Sequence, residues 1–94
     1  MTKAEVVAEI SNKTGIEKVA VQATVESFME TIKESLVNGE NVYLRGFGSF
    51  IIKHRAEKTG RNISKNTTIT IPAHNIPSFK PSKGFTSEVK NKVK

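Results

Sequence analysis

Apolar residues near the start of the chain recur three and four positions apart, which is the spacing of one face of an α-helix. This pattern predicts a first helix over roughly residues 3–13. Thr2 and Glu5 are spaced for a capping box, in which the threonine accepts a hydrogen bond from the amide of Glu5 and the glutamate reaches back to the cap. Gly15 follows as the left-handed residue at which helices commonly end.

A second apolar stripe with helical spacing runs through the next segment of the chain. Its members are Val21, Val25, Phe28, Met29, Ile32 and Leu36. These positions share one side of a helix, and glutamates recur every four residues on another side. Asn38-Gly39 is a typical helix end. The first forty residues are therefore predicted to form two amphipathic helices in a hairpin.

The apolar pattern changes to that of β-strands after residue 41. Residues 42–44 form a short predicted strand, and Gly46-Phe47-Gly48 suits a tight turn into a second antiparallel strand over residues 49–55. Threonine and isoleucine alternate strictly over residues 68–71, which indicates another strand. Ser82 is placed to cap a short last helix. The predicted class is α+β, with a helical hairpin, an antiparallel sheet and a C-terminal helix.

Residues 54–74 contain few large apolar side chains and offer little to a core. They are predicted to form a long β-ribbon arm with its tip near residues 62–66, and each strand of about eight residues reaches roughly 25 Å. Two-stranded ribbons are marginally stable alone in water, so the arm is expected to gain stability from a partner. If the tip lies near residue 64, His54 and His74 face each other across its base.

The composition predicts a thin core for a single domain. Only 36% of the 94 residues are hydrophobic, and the chain contains neither tryptophan nor cysteine, so disulfides and cysteine metal sites are excluded. Oligomerisation is the expected source of further burial. The predicted dimer core consists of Phe28, Ile32, Leu36, Leu44, Phe47, Phe50 and Phe79. The N-terminus lacks the apolar region of a signal peptide and no membrane span is evident, so the expected location is the cytoplasm.

Charge is segregated along the chain. Residues 1–44 carry four lysines and seven glutamates, a net of −3, whereas residues 45–94 carry eleven lysines and arginines and two glutamates, a net of +9. A positive surface directed at a polyanion is the favoured interpretation, and a solvated charged face is the alternative. The basic residues predicted to line the arm are Lys53, Arg55, Lys58, Arg61 and Lys65.

Five short motifs occur in order along the second half of the chain. They are Gly46-Phe47-Gly48-Ser49-Phe50, Arg55-Ala56, Gly60-Arg61-Asn62, Ile69-Thr70-Ile71-Pro72-Ala73 and Pro77-Ser78-Phe79-Lys80-Pro81. With these motifs the whole chain resembles the HU/IHF family of bacterial histone-like architectural DNA-binding proteins. The resemblance implies one domain over residues 1–94 and an intertwined dimer. Residues 1–52 and 75–94 would form the dimer body, and residues 53–74 the DNA-binding arm.

The function implied by the resemblance is binding of double-stranded DNA through the minor groove with little sequence specificity. Such a protein bends and compacts DNA and associates with the nucleoid, with no cofactor, small-molecule substrate or membrane partner. The DNA-binding residues expected on this basis are Lys3, Lys53, Arg55, Lys58, Arg61, Asn62, Ile63, Lys65, Asn66, Lys80 and Lys83. Both homodimers and heterodimers occur in the family, and both remain open for this chain.

Ile63 is where the chain departs most from the family pattern. The family has proline at this position of the arm tip, where it wedges between base pairs, and glycine usually stands where this chain has Asn66. Isoleucine is apolar and bulky enough to unstack a base step. Ile63 is therefore the wedge candidate, and a surface residue that inserts into nothing is the alternative.

Two other functional classes can be considered. A basic RNA-binding or ribosome-associated protein is the alternative function, although the arm lacks the aromatic platforms on which single-stranded RNA stacks. An enzyme is disfavoured because the chain has no aspartate and no cysteine, which excludes Ser-His-Asp and Cys-His catalytic arrangements. Two histidines without a neighbouring carboxylate favour cross-strand partners over a metal site, so no metal ligand and no catalytic residue is predicted.

Overall fold

A computed structural model of the chain describes residues 1–62 and 67–93. The elements in chain order are α1 (Lys3–Thr14), α2 (Lys18–Val37), β1 (Val42–Leu44), β2 (Gly48–Arg55), β3 (Lys58–Asn62), β4 (Thr67–Ile71), β5 (His74–Pro81) and α3 (Lys83–Lys92). The predicted α+β class is confirmed. The chain divides into two compact units, Met1–Ser35 and Leu36–Lys94.

The ends of α1 form as the sequence predicts. Thr2 Oγ1 accepts a hydrogen bond from the Glu5 amide at 3.3 Å, and the Thr2 hydroxyl donates to Glu5 Oε1 at 3.2 Å. At the other end Gly15 adopts φ 76°, and its N–H donates to the carbonyl of Ser11. The left-handed conformation costs glycine little because it has no Cβ.

Few side chains of the helical unit are buried. Val7 on α1 and Val21 and Ile32 on α2 are the buried apolar residues among those that the structure describes. Phe28 on the same stripe of α2 is 47% exposed. The thin core expected from the composition is therefore present in the single chain.

β1, β2 and β5 form a three-stranded antiparallel sheet in the order β1-β2-β5. Gly46 adopts φ 83° in the turn between β1 and β2, and the Phe47 amide donates to the carbonyl of Leu44. The tight turn predicted for this segment is confirmed. On one face of the sheet Phe50 lies opposite Phe79, with ring centroids 4.9 Å apart.

β3 and β4 pair antiparallel in a separate two-stranded sheet, from Lys58 opposite Ile71 to Asn62 opposite Thr67. The paired strands of the predicted arm are therefore interrupted. The pairing of β2 with β5 ends at Arg55 opposite His74. Pairing resumes between β3 and β4 at Lys58 opposite Ile71, three residues closer to the tip on each side. Pro72, which has no N–H to donate to a ladder, lies in this interruption.

The register at the base of the arm differs from the expectation. His54 pairs with Asn75, and His74 pairs with Arg55, so the two histidines do not face each other. The described strands of the arm keep the same register, from Lys58 opposite Ile71 to Asn62 opposite Thr67, and this register is one residue away from the one that would pair His54 with His74. A shift of one residue moves each side chain to the other face, so the expected histidine pair was wrong.

α3 begins at the predicted cap. Ser82 Oγ accepts from the Phe85 amide at 3.2 Å and donates to the Gly46 carbonyl at 3.1 Å, and the Ser82 amide donates to the Phe47 carbonyl at 2.9 Å. One serine thus caps α3 and fixes it against the β1–β2 turn. Among residues 1–62 and 67–93, no helix is long and apolar enough to cross a membrane.

Candidate nucleic-acid interface

One face of the three-stranded sheet carries a line of exposed basic residues. Tyr43 pairs with Ser49, which pairs with Lys80, so these side chains form one row across the three strands. Lys53 and Arg55 follow Ser49 at alternate positions of β2 and therefore point to the same side. We call this surface, formed by Tyr43, Ser49, Lys53, Arg55, His74 and Lys80, the basic face.

The basic face continues into a depression beside the β1–β2 turn. The depression has a volume of about 450 Å³, and its lining includes Tyr43, Arg45, Ser49, Lys80 and Lys83. The contacts of Ser82 with the turn hold the start of α3 here. Arg45 thus joins two lysines that were predicted to bind DNA, and the backbone amides at the start of α3 add to the positive potential.

Arg45 and Tyr43 were absent from the predicted binding residues. Tyr43 is 71% exposed, and its hydroxyl accepts a hydrogen bond from Asn41 Nδ2 at 3.2 Å. Arg45 directly precedes the Gly46-Phe47-Gly48 turn, and this position was the signal in the sequence that its side chain is exposed. An arginine beside a tight turn is poorly placed for a core, but its proximity to Lys80 and Lys83 depends on the folded sheet.

The cations of the basic face and its surroundings are exposed and without carboxylate partners. Within the described ranges, the ion pairs join Lys3 to Glu26 and Lys13 to Glu9. None involves Lys53, Arg55, Lys58, Lys80 or Lys83, all of which are exposed. These five predicted DNA-binding side chains are therefore available to an external anion.

Lys3, another predicted DNA-binding residue, has an internal partner. Its Nζ lies 2.9 Å from Glu26 Oε1. The hydrogen bond from Lys3 is the main cause that lowers the pKa of the Glu26 carboxyl, and a hydrogen bond from Gln22 and the charge of Lys3 act in the same direction. The Lys3 side chain is about half exposed, and its ammonium has further N–H donors besides the one that binds Glu26.

The predicted residues at the end of the arm fall into two groups. Arg61 and Asn62 belong to β3 and pair with Thr68 and Thr67. Ile63, Lys65 and Asn66 lie outside the described residues. Their roles, including that of Ile63 as a wedge, remain predictions.

The described part of the arm also exposes apolar surface. Ile71 lies opposite Lys58, and Ile69 lies opposite Gly60, so both isoleucines share one face of the β3–β4 ribbon. Both side chains are nearly half exposed. The ribbon therefore offers apolar as well as cationic contacts to a partner.

The residues predicted to form a dimer core have different environments in the single chain. Ile32 is buried, and Leu36, Leu44 and Phe50 are half-buried. In contrast, Phe28, Phe47 and Phe79 are 47%, 45% and 37% exposed. The aromatic rings of unit Leu36–Lys94 already contact each other, since the centroids of Phe47 and Phe79 lie 5.1 Å apart. The dimer itself remains a prediction.

Each histidine at the base of the arm has its own hydrogen-bond partner. His54 Nδ1 lies 3.0 Å from Asn75 Oδ1, and His74 Nδ1 lies 2.9 Å from the carbonyl oxygen of Pro72. Over the described ranges, the structure contains no group of three or more histidines, cysteines, aspartates and glutamates arranged to hold a metal ion.

The chain is similar in sequence to known bacterial DNA-binding proteins. Residues 1–90 match the family model described as bacterial DNA-binding protein. The chain is 40% identical over 92 residues to the SPbeta prophage-derived DNA-binding protein HU 2 of Bacillus subtilis, covering 98% of this chain and 100% of the relative. It is 39% identical over 95 residues to integration host factor subunit beta of Marinobacter nauticus, covering 100% and 97% of the two chains.

A solved structure is similar over nearly the full length of the chain. The Anabaena HU-DNA cocrystal structure matches with a TM-score of 0.89 and 36% sequence identity. The match covers 95% of this chain and 97% of the other.

Proposed function

We propose a function for this chain from one premise: it belongs to the bacterial DNA-binding protein family, also called the HU/IHF family. It is an architectural DNA-binding protein and not an enzyme. In our proposal it binds double-stranded DNA with little sequence specificity, bends it and compacts it. It acts in the cytoplasm, in association with the nucleoid.

The observation that carries the proposal is the concentration of positive charge in the unit that bears the basic face. Unit Leu36–Lys94 contains eleven lysines and arginines and three glutamates, a net of +8. Unit Met1–Ser35 contains four lysines and six glutamates, a net of −2, and the two values add to the +6 of the whole chain. Such asymmetry fits an anionic partner with a regular backbone of phosphates.

Phosphate contacts explain affinity without sequence preference. Lys53 and Arg55 on β2 and Lys80 on β5 present exposed cations along one face, and Lys83 and Arg45 extend the series beside the turn. Neutralising a phosphate releases condensed counterions, whichever base is attached to it. Binding should therefore weaken steeply as salt increases.

The arm supplies the contacts within the minor groove. β-Strands of DNA-binding proteins can lie in the major or the minor groove, and the minor groove distinguishes A·T from G·C pairs but little else. We place Lys58, Arg61, Asn62, Lys65 and Asn66 along this contact. Ile63 is the proposed wedge, and the exposed Ile69 and Ile71 provide further apolar contact with sugars in the groove.

A second copy of the chain completes the binding unit in this proposal. Phe28, Phe47 and Phe79 are large aromatic side chains, and they are more exposed than is usual in a stable single domain. Phe79, Phe85 and Val89 also line an open apolar depression of about 490 Å³. A homodimer covers these surfaces and presents two arms, and a heterodimer with a related subunit is the alternative.

The proposal is tested by competition among intact duplex DNA, nicked duplex DNA and double-stranded RNA, with binding followed by fluorescence anisotropy. Nicked DNA should bind more tightly than intact DNA because part of the deformation energy has been removed. The expected order is nicked DNA, intact DNA and then RNA. Preference for RNA, or equal binding of nicked and intact DNA without salt dependence, would contradict the proposal. Analytical sedimentation at increasing protein concentration measures the mass of the assembly and tests whether the chain forms a dimer.

A further inference from the structure

Two histidines lie at the base of the arm, and the proposed function gives neither of them a role. They are neighbours across the β2–β5 ladder but occupy different rows, because His54 pairs with Asn75 and His74 pairs with Arg55. Residues that pair directly share a face, and consecutive residues alternate between faces. His74 therefore belongs to the basic face with Arg55, whereas His54 points to the opposite side of the sheet.

The hydrogen bonds determine which nitrogen of each ring can accept a proton. The carbonyl oxygen of Pro72 and the Oδ1 atom of Asn75 are acceptors, so Nδ1 of His74 and Nδ1 of His54 are donors. Each Nε2 is then the basic nitrogen of the neutral ring. Both imidazoles are exposed, and neither Nε2 has a partner among the described residues.

The charged groups that face His74 come mainly from β2. Arg55 lies directly opposite, and Lys53 lies two rows further along, opposite Ile76. Glu57 follows two residues after the end of β2. On β5 itself the nearest charged residue on this face is Lys80, six rows beyond His74. β1 contributes no charge here, because its pairing with β2 ends at Val42 opposite Phe50.

We propose that His74 binds a DNA phosphate through Nε2 in its protonated form, and that the basic face is the side of the arm base that meets DNA. The proposal rests on the proposed function, since it requires DNA to lie along Lys53 and Arg55. Imidazole is the side chain that ordinarily changes charge between pH 5 and 8. A phosphate beside Nε2 favours the imidazolium, so DNA binding takes up a proton at this position.

Proton uptake makes affinity depend on pH in a definite direction. Binding is tighter at pH 5.5 than at pH 7.5, because the charge needed for the contact is already present at the lower pH. One phosphate contact changes the slope of log affinity against log salt by about 0.9. Where the contact has no effect at 1 M salt, this slope gives about an eightfold change in affinity at 0.1 M salt. A gain of this order per contacting chain is expected from His74.

The experiment measures the affinity of the full chain for a short nicked duplex between pH 5.5 and 7.5 at fixed salt. The wild type is compared with His74→Gln, His74→Lys and His54→Gln. Each variant replaces one histidine and leaves the rest of the chain unchanged. The His54→Gln variant is a matched control, because it removes an exposed imidazole one row away on the opposite face.

The expected result is a pH-dependent affinity that His74→Gln removes and His54→Gln preserves. At pH 7.5 His74→Gln should bind as the wild type does, whereas His74→Lys should bind tightly across the whole range. A pH dependence that survives His74→Gln, or one that disappears in His54→Gln, overturns the inference, as does a wild type without pH dependence. Failure of the wild type to bind duplex DNA at any pH would instead contradict the proposed function.

Discussion

Gly48 lies so close to Lys80 across the β2–β5 pair that a Cβ atom at Gly48 would be 2.6 Å from the Lys80 carbonyl oxygen. The same Cβ atom would be 2.7 Å from two ring atoms of Phe79. Glycine at this position therefore allows the strand that carries Lys80 to approach β2. The aromatic packing on one face and the position of the basic row on the other both depend on this close approach.

A methyl group at Gly48 should destabilise the fold. In Gly48→Ala the backbone carbonyl must move, and we expect the free energy of unfolding to fall by about 1–3 kcal/mol, the usual cost of overpacking. Urea denaturation followed by circular dichroism measures this change. Gly84→Ala is the matched control, since nothing lies within 4 Å of the corresponding Cβ position on α3. It should leave stability unchanged or raise it by up to about 1 kcal/mol, because alanine favours helices over glycine. Equal effects of the two substitutions would contradict the steric account.

The Lys3–Glu26 ion pair should make stability depend on acidic pH. The folded chain holds the pKa of the Glu26 carboxyl below its ordinary value of 4.5, mainly through the hydrogen bond from Lys3. The stabilising contribution is therefore present above the ordinary pKa and is lost as the pH falls through the lowered folded value. We expect the difference in unfolding free energy between wild type and Glu26→Gln to shrink as pH is lowered from 6 to 3, as measured by thermal denaturation.

Glu30→Gln is the control for the ion pair, since it removes an exposed carboxylate from the same helix. The difference in unfolding free energy between Glu30→Gln and the wild type should vary less with pH. If the difference in unfolding free energy between Glu26→Gln and the wild type grew as the pH fell, the ion-pair account would be contradicted.

Removing a charge from the basic face should reduce both affinity and salt dependence. For Lys53→Gln we expect the slope of log affinity against log salt to become shallower by about 0.9 for each phosphate that the variant no longer neutralises. Relative to the wild type, binding should then be about eightfold weaker at 0.1 M salt if the two proteins bind equally at 1 M salt. The comparison variant is Lys13→Gln, whose ammonium lies 3.7 Å from Glu9 on α1 in the wild type. It should bind DNA as the wild type does. Equal reductions in the two variants would show that total charge, rather than the basic face, determines binding.

Local interactions were the part of the fold that could be predicted from sequence. The Thr2–Glu5 cap, the left-handed Gly15 and the Ser82 cap each depend on residues within a few positions of one another. The helical and alternating patterns likewise identified the elements. Such features carry their own stereochemical signal, so a single chain reveals them.

The parts that could not be predicted depend on register and on contacts between distant residues. His54 pairs with Asn75 and His74 pairs with Arg55, and a register shifted by one residue would have placed both histidines on one face. The row formed by Tyr43, Ser49 and Lys80 similarly requires two strand pairings to be known. The Lys3–Glu26 pair joins two helices, and helical periodicity does not specify which side chains meet between them.

Ile63 should influence DNA bending more than DNA affinity if it acts as the wedge. The Ile63→Ala variant removes most of the apolar side chain. Too little apolar surface would then remain to insert between the unstacked base pairs, so the bend angle of the DNA should decrease. Ile63→Pro should retain bending, because proline is also apolar and has a fixed φ. The measurement is fluorescence energy transfer between dyes at the two ends of a duplex, at protein concentrations that saturate each variant. Unchanged transfer in Ile63→Ala would identify Ile63 as a surface residue.

The central claim is that this chain bends double-stranded DNA through its basic face and arm. The most direct measurement is end-to-end energy transfer in an intact duplex titrated with the wild-type protein at low salt and again at high salt. We predict a rise in transfer that saturates with protein at low salt and is reversed at high salt, because salt cations compete with the protein for the phosphates. Saturable binding that leaves the end-to-end distance unchanged would contradict the claim.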